Sequence, residues 1–175
     1  MMWTIQYIKQ LQMYNKAMIF LVGYIENSIT GLEAFDATET FSEPDNFASI
    51  YIIDSNPTSQ HSHTIKQEQK DEDTKVFTYK QNENLVIRVD FRGSNCHANM
   101  ATFKSSFLQE KGREFLKEAG FSFFGLGSEK PISSLRNVKI KKGLSITLKL
   151  KGSYLVEDES QIIKNVNIKV SSNLN

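Results

Sequence analysis

The sequence predicts a single α+β domain in which a mostly antiparallel sheet is flanked by helices on one face and extended by a long polar hairpin arm. Strand-like segments come in groups that hairpins can connect, and helix-like segments lie before and between these groups, an order typical of α+β folds. The chain has 175 residues, the usual size of one domain. Since no internal repeat interrupts it, we treat residues 1–175 as one domain, with the arm at residues 55–74.

Residues 1–25 are predicted to form an amphipathic helix. Five large apolar residues share one of its sides at helical spacing: Ile5, Ile8, Leu11, Met18 and Val22. A secretory signal peptide is the alternative, because an apolar run at residues 17–25 follows Lys9 and Lys16. That run is shorter than the ~20 apolar residues of a membrane span. No cleavage site of small residues follows it, so the buried helix is favoured.

The first strong strand prediction falls on residues 47–54, FASIYIID. This segment is dense in aromatic and β-branched residues and is apolar on both faces, which indicates a central strand. Residues 28–46, which precede it, mix glycine, proline and acidic residues and are predicted to be an irregular connection. A further strand is predicted from four apolar residues that alternate with other residues: Leu85, Ile87, Val89 and Phe91.

A polar arm separates these two strands. Residues 55–74 contain Ile65 as their single large apolar residue, so they cannot supply a core. The segment is also too long for an ordinary tight connection. Two alternatives stay open at this point, a mobile arm and the tip of a long hairpin. Strand-like alternation resumes at residues 75–80, where Phe77 and Tyr79 share a face.

A second helix is predicted after the glycine that ends the second strand. Ser94 or Asn95 is expected to cap its first free amides. Gly112 is expected to kink or divide the helix, and Gly120 to end it. Its apolar stripe consists of Met100, Phe103, Phe107, Phe115, Leu116 and Ala119.

The C-terminal third is predicted to hold three strands. Residues 121–126 form a short apolar strand, and residues 131–137 a loop with at most one helical turn. Two alternating segments follow, at residues 144–150 and 162–170. The polar residues 157–160 between them suit the turn of an antiparallel hairpin.

The composition excludes two classes of protein. With 21 basic and 20 acidic residues the formal net charge is only +1, which removes the electrostatic basis for tight non-specific nucleic-acid binding. Cys96 is the sole cysteine, so the chain forms no internal disulfide and no thiolate zinc cluster. The chain therefore suits a reducing compartment.

The sequence predicts neither an enzyme active site nor a site for a metal or cofactor. His61 and His63 lie in the polar arm without a third ligand at metal-site spacing. Cys96 and His97 look like a nucleophile beside its base, but consecutive helical residues point about 100° apart and do not face each other. The two short acidic runs lie in polar segments, whereas catalytic carboxylates need an enclosed setting.

From residue 47 onward the chain resembles the neck and tail terminator proteins of long-tailed bacteriophages. The resemblance begins with FASIYIID, a polar interval and NLVIRVDFRGSN, which runs into an amphipathic helix. The helix ends in FLQEKGREFLKEAGFSFFGLG, and PISSL and the segment GLSITLKLKGSYLVED follow. The match is one of pattern and of short phrases and covers about two thirds of the chain.

The resemblance implies a structural, non-enzymatic virion protein that is made in the bacterial cytoplasm and located at the phage neck. Such proteins form rings, usually hexamers, that end the tail tube and join it to the head. The implied partners are further copies of the chain, the tail tube protein and the head–tail connector protein. Genome DNA would pass through the channel without sequence-specific binding, and no membrane is involved.

Two polar segments are the candidate subunit or partner interface, the arm and the basic run KIKK near residue 140. The candidate residues are Gln60, His61, His63, Lys66, Glu68, Asp71, Lys139, Lys141 and Lys142. Two alternatives from other classes remain, a transient phage assembly factor and a host-binding module that acts through the arm.

Overall fold

The computed structural model describes residues 2–39, 42–57, 63–71, 74–136 and 139–161, and within these ranges it confirms the α+β class. The elements in chain order are α1 (Met2–Ser28), β1 (Glu33–Asp36), β2 (Phe47–Pro57), β3 (His63–Gln69), β4 (Thr74–Arg92), α2 (Cys96–Leu108), α3 (Glu110–Glu118), β5 (Ser122–Leu126), β6 (Lys130–Arg136) and β7 (Lys139–Gln161).

The strands of the described ranges form one sheet in the order β1-β2-β4-β7-β5. In addition, β3 pairs with the first part of β4, and β6 pairs with the first part of β7. β1 and β2 are parallel, and the other pairings are antiparallel, which confirms the mostly antiparallel sheet. Residues 47–50 of β2 lie between β1 and β4, so this part of the strand is interior, as its apolar sequence predicted.

The hydrophobic core lies between one face of the sheet and the helices. Phe103 and Phe107 of α2 are fully buried, and the ring centroid of Phe103 lies 5.4 Å from that of Phe91. Burying an apolar side chain of this size stabilises the fold by about 1.5–3 kcal/mol. The alternating residues of β4 face this core and are 0% exposed, as the pattern predicted: Leu85, Ile87, Val89 and Phe91.

The buried side of α1 matches the predicted one only in part, because Met18 is buried and Val22 packs against the core but other predicted residues do not. Ile8 is 47% and Leu11 is 44% exposed, and the side chain of Ile5 lies outside the described residues. Apolar residues occur on several sides of this helix, so spacing alone could not select the side that meets β1, β2 and β7. The residues buried there are Met13, Ala17, Met18, Leu21, Tyr24 and Ile25. Within the described ranges, neither α1 nor another helix combines the length and apolarity that crossing a bilayer requires.

Two predictions for the C-terminal third are wrong. The segment 131–137, predicted as a loop, lies largely in β6, because pairing with β7 outweighs the weak strand preference of proline and serine. Residues 157–160, predicted as a turn, lie inside β7, whose pairing with β4 continues without a register shift to residue 161. The predicted strand 162–170 lies outside the described residues. β1 is a strand within the segment predicted to be irregular.

The N-terminus of α2 is capped from a distant part of the chain. Neither Ser94 nor Asn95 provides the predicted local side-chain cap. Instead, Asn46, just before β2, accepts hydrogen bonds at its Oδ1 from the Asn95 amide at 3.0 Å and from the Ser94 hydroxyl at 3.4 Å. The junction of β4 and α2 is therefore tied to the segment that enters β2.

The break between α2 and α3 lies at Gln109, not at Gly112. Gln109 is extended, with φ −78° and ψ 155°. Gly112 is buried inside α3, where a Cβ would collide with the Ser106 carbonyl oxygen. Gly120 follows α3 with a φ of +82°, which agrees with its predicted role in ending the helix.

Candidate assembly interface

Beyond the core, three strand segments continue as a narrow ribbon. The ribbon consists of β3, residues 74–82 of β4 and residues 153–161 of β7. β3 pairs with one edge of β4, and β7 pairs with the other. The polar arm predicted at residues 55–74 thus contributes the end of β2, all of β3 and the start of β4. Residues 58–62 lie outside the described residues.

The ribbon adds little to the hydrophobic core. Among the described residues, none from the ribbon belongs to the buried core cluster, although Tyr154 at its base packs against that cluster. Residues 74–79 are only half-buried, and the rings of Phe77 and Tyr79 stack on each other with centroids 6.3 Å apart. Backbone pairing therefore holds the ribbon together, and the core does not need it.

The candidate residues of the predicted arm fall on the ribbon as far as they are described. Lys66 and Glu68 are exposed on β3 and form an ion pair with each other. Such an exposed pair contributes about 0–1 kcal/mol. Asp71 is exposed in the turn between β3 and β4, where its amide donates to the Thr74 carbonyl at 3.4 Å. His63 begins β3, but its side chain, like Gln60 and His61, lies outside the described residues.

The basic candidates lie at the other end of β7. Lys139 and Lys141 are in its first residues, and Lys142 is exposed beside a shallow depression that His97 and Asp45 also line. Eighteen residues of continuous strand separate Lys139 from Glu157 in the ribbon. At about 3.3 Å per residue this is roughly 60 Å. The two predicted segments therefore do not meet within one copy of the chain.

Several edges of the sheet, among them those of β3 and β6, carry no neighbouring strand in the described part of the chain. β3 pairs only with β4, which leaves its outer edge without a described neighbouring strand. β6 pairs only with β7, which leaves its outer edge unpaired as well. Backbone N–H and C=O groups on such edges can pair with a strand from another chain.

A cluster of charged residues occupies the sheet face opposite the helices. Asp90, with a side chain only 5% exposed, accepts from Arg88 Nε at 2.8 Å and lies 3.6 Å from Arg92 Nη2. Arg88 Nε also donates to Ser145 Oγ at 2.8 Å, and its guanidinium lies 5.3 Å from the centroid of the Tyr51 ring. This cluster was not predicted, although the alternating charges at positions 88, 90 and 92 of a predicted strand indicated it.

A second missed cluster joins α1 to the base of the ribbon. Glu83 of β4 is 1% exposed, and its Oε1 accepts from Tyr14 at 2.7 Å and from Gln10 Nε2 at 2.7 Å. The Tyr14 hydroxyl also pairs with the hydroxyl of Ser55 at the end of β2. The other carboxylate oxygen of Glu83 is buried without a hydrogen-bond partner. Sequence spacing carries no signal for this cluster, since its members lie on three separate elements.

Removal of the Tyr14 hydroxyl is expected to destabilise the fold at neutral pH. Burial, together with the neighbouring Glu83, raises the pKa of Tyr14 from 10.0 to about 12. Tyr14→Phe leaves buried Glu83 one donor short, at a cost of about 1–3 kcal/mol. The raised pKa stabilises the wild type fully below pH 10, and this contribution is lost as the pH rises towards 12.

Urea denaturation at pH 7 and at steps between pH 10 and 12 measures this effect. The stability difference between wild type and Tyr14→Phe should shrink over the alkaline range. Tyr79→Phe is the matched control, because Tyr79 lies in the half-buried ribbon and its loss should change stability little. A difference independent of pH would contradict the assignment.

Some residues resembled a nucleophile with its base or metal ligands in the sequence. Those that the structure describes do not come together in one site. Cys96 is 3% exposed, so it is buried, whereas the adjacent His97 is exposed. In the described part of the chain, no group of three or more His, Cys, Asp or Glu residues could hold a metal ion. The arrangement of edges and charges suits protein contacts.

Comparison with known families gives one match. A family model described as phage neck terminator protein matches residues 20–173. This range includes the whole sheet and the junctions at Glu83 and Gly93, and it begins within α1. No curated protein matches the chain.

Proposed function

The chain belongs to the phage neck terminator protein family, whose members are structural proteins of the bacteriophage neck, and from this membership we propose that it is the subunit of a ring that ends the tail tube and joins it to the head. The ring is a homo-oligomer, most simply a hexamer. The chain acts in the assembled virion after synthesis in the bacterial cytoplasm, and it acts without catalysis.

The open sheet edges support this proposal. A ring of identical subunits needs two different surfaces on each subunit, one that binds the preceding copy and one that binds the next. The outer edges of β3 and β6, with which no other described strand pairs, are two candidate surfaces for these contacts. Family membership over residues 20–173 is the observation that carries the proposal.

The two faces of such a ring contact the tail tube protein and the head–tail connector protein, and genome DNA passes through its centre. The net charge of +1 fits a channel along which DNA moves without being held. The buried Asp90 neutralises part of the charge of Arg88 and Arg92, so this cluster is a weak site for phosphates. No membrane takes part.

Native mass spectrometry of the purified chain tests the proposal. The expected result at high protein concentration is a closed species of six copies, and image classes of purified virion necks should show a ring with the same symmetry. Monomers alone in solution, together with necks that lack a symmetric ring, would contradict the ring.

The composition of purified virions separates this function from the two alternatives. A ring subunit is present in fixed stoichiometry, whereas a transient assembly factor is absent from finished particles. A host-binding module that acts through residues 55–74 would retain a host protein as a monomer. The expected result is the first.

A further inference from the structure

The sheet face opposite the helices exposes apolar and basic side chains. This open face is defined by four exposed residues: Ile53, Phe124, Lys149 and Lys151. We propose that the open face of one copy packs on helix α3 of the next copy, held in place by opposite charges. This inference rests on the proposed function, because it names a side-chain contact between successive copies of the ring.

Two β-bulges place large apolar side chains on the open face. Ile53 is the extra residue of β2 between Ile52 and Asp54, and Phe124 is the extra residue of β5 after Phe123. Ile52 and Phe123 pack against the core, so the residues that follow them point away from it. Ile53 is 50% and Phe124 is 71% exposed. Bulges redirect side chains, and grouped exposed apolar residues are typical of contact sites.

The two bulges lie at one level of the sheet, with basic residues between them. The residue after Ile53 pairs with Val86, and Val86 pairs with Lys149. Lys149 in turn pairs with the residue after Phe124. Three strand spacings of about 4.8 Å therefore separate Ile53 from Phe124, roughly 14 Å. Lys149 and Lys151 lie on the open face, because the residues that alternate with them in β7 are buried in the core.

Helix α3 presents a surface of the opposite charge. Its exposed side includes Glu110, Glu114 and Glu118, which form one line because they follow each other at four-residue spacing. Phe115 packs on Phe20 of α1 but remains 38% exposed beside this line. The line of glutamates thus has an apolar neighbour, as the lysines of the open face do.

The basic residues of α3 do not interrupt the line of glutamates. At 3.6 residues per turn, Arg113 and Lys117 lie on the flank of the line that is away from Phe115. Along the line, successive glutamates are about 6 Å apart. Lys149 and Lys151 are about 7 Å apart along β7. Two ion pairs can therefore form at once when α3 lies along β7 of the next copy, and opposite charges of this kind fix the orientation of a contact.

A second copy is the partner that these two surfaces favour. Leu116 anchors α3 in the core on the helix side of the sheet, so α3 and the open face lie on opposite sides of one molecule. They cannot meet within a chain, and each copy offers one of each. A contact between two different surfaces of identical subunits generates a ring when the rotation closes.

Charge reversal on each surface tests the contact. The open-face variant carries Lys149→Glu and Lys151→Glu. The helix variant carries Glu114→Lys and Glu118→Lys, and a combined variant carries all four substitutions. The matched controls make the same changes of charge on exposed residues of α1 and around β1: Lys9→Glu with Lys16→Glu, and Glu33→Lys with Glu39→Lys.

Native mass spectrometry over a concentration series measures assembly, and circular dichroism with thermal unfolding verifies that every variant is folded. The open-face variant and the helix variant are each expected to need at least ~tenfold more protein than the wild type to form the ring, because like charges then face each other. The controls are expected to assemble as the wild type does.

The combined variant provides the decisive measurement. In each of its contacts an acidic open face meets a basic α3, so rings should form at the concentration that the wild type requires. Single-surface variants that assemble like the wild type would overturn the inference while the ring of the wild type stands. A folded combined variant that assembles no better than they do would overturn it as well. A wild type that forms no ring contradicts the proposed function itself, and the inference with it.

The apolar part of the contact is tested without any change of charge. Phe124→Ser is expected to leave the fold stable, because Phe124 is 71% exposed, and to raise the protein concentration needed for the ring roughly tenfold. Ile19→Ser is the matched control, since Ile19 is 74% exposed on α1, away from the open face. Equal assembly of the two variants would show that Phe124 lies outside the contact and would overturn the inference.

Discussion

Removal of the ribbon is expected to abolish ring formation and leave a folded monomer. In the variant, a four-residue Gly-Ser turn replaces residues 58–82, and the chain stops after Tyr154, which packs against the core cluster. Pro57 and Glu83 are partners in the register of β2 and β4, so a short turn can connect them directly. The core cluster has no member in the ribbon among the described residues, so the core is retained.

The effect of this variant on stability should be much smaller than its effect on ring formation. Closing a shorter loop costs no more entropy than closing a longer one, so the stability of the body should change by about 1 kcal/mol or less. The variant retains the cluster of Tyr14, Ser55 and Glu83, which anchors α1. Ring formation should be undetectable at concentrations where the wild type assembles, because the β3 edge and the candidate interface residues of the arm are gone.

Size-exclusion chromatography with light scattering measures assembly, and urea denaturation measures stability. A control variant replaces only residues 70–73 with Asn-Gly, which retains β3, β4 and the β7 edge. This control should assemble normally. If the chain without the ribbon still forms the wild-type ring, the ribbon is a dispensable extension and residues 55–74 are no interface.

The sequence predicted correctly those helices and strands in which the buried residues recur at the same spacing as the apolar residues. In β4 every second residue from Leu85 to Phe91 is apolar and buried, and in α2 Met100, Phe103 and Phe107 are buried at helical spacing. For α1 the helical spacing identified only part of the buried side, Met18 and Val22, because apolar residues occur all around that helix. Only the position of the sheet decides which of them are buried.

The remaining errors concern structure that depends on long-range pairing. β6 contains proline and serines and has little strand preference of its own, and β7 supplies its backbone partners. The acidic run 157–159 resembled a turn, yet β4 pairs with it throughout. In a ribbon largely open to solvent, acidic side chains stay hydrated and cost the fold little stability. The composition therefore could not distinguish a turn from a strand.

The candidate interface was predicted only in part. The sequence pointed to two polar segments, and the structure places the arm beside the ribbon end of β7 and the basic run at the other end of that strand. Sequence alone could not locate the open backbone edges, because pairing determines which edges remain free.

The junction between β4 and α2 provides the last large effect. Gly93 has a φ of +102°, and a Cβ at this position would collide with the Asp45 carbonyl oxygen and the Asn46 side chain. Gly93→Ala therefore incurs backbone strain of about 1–3 kcal/mol. It also incurs an overpacking cost of about 1–3 kcal/mol.

The free energy of unfolding of a typical domain is about 5–15 kcal/mol, and the two costs together would remove much of it in this variant. Gly31→Ala is the matched control, because Gly31 has a φ of +75° but no atom within 4 Å of its Cβ position. The control should lose only the stability that an alanine costs in a left-handed backbone conformation, about 1–2 kcal/mol. Urea denaturation of both variants compares them, and the loss should be greater for Gly93→Ala because Asp45 and Asn46 must move. Movement of Asn46 would also release the amide of Asn95 at the start of α2. Equal losses of stability in the two variants would mean that Asp45 and Asn46 move aside without an energetic cost. The glycine of the phrase VDFRGSN would then be required only for its backbone angle.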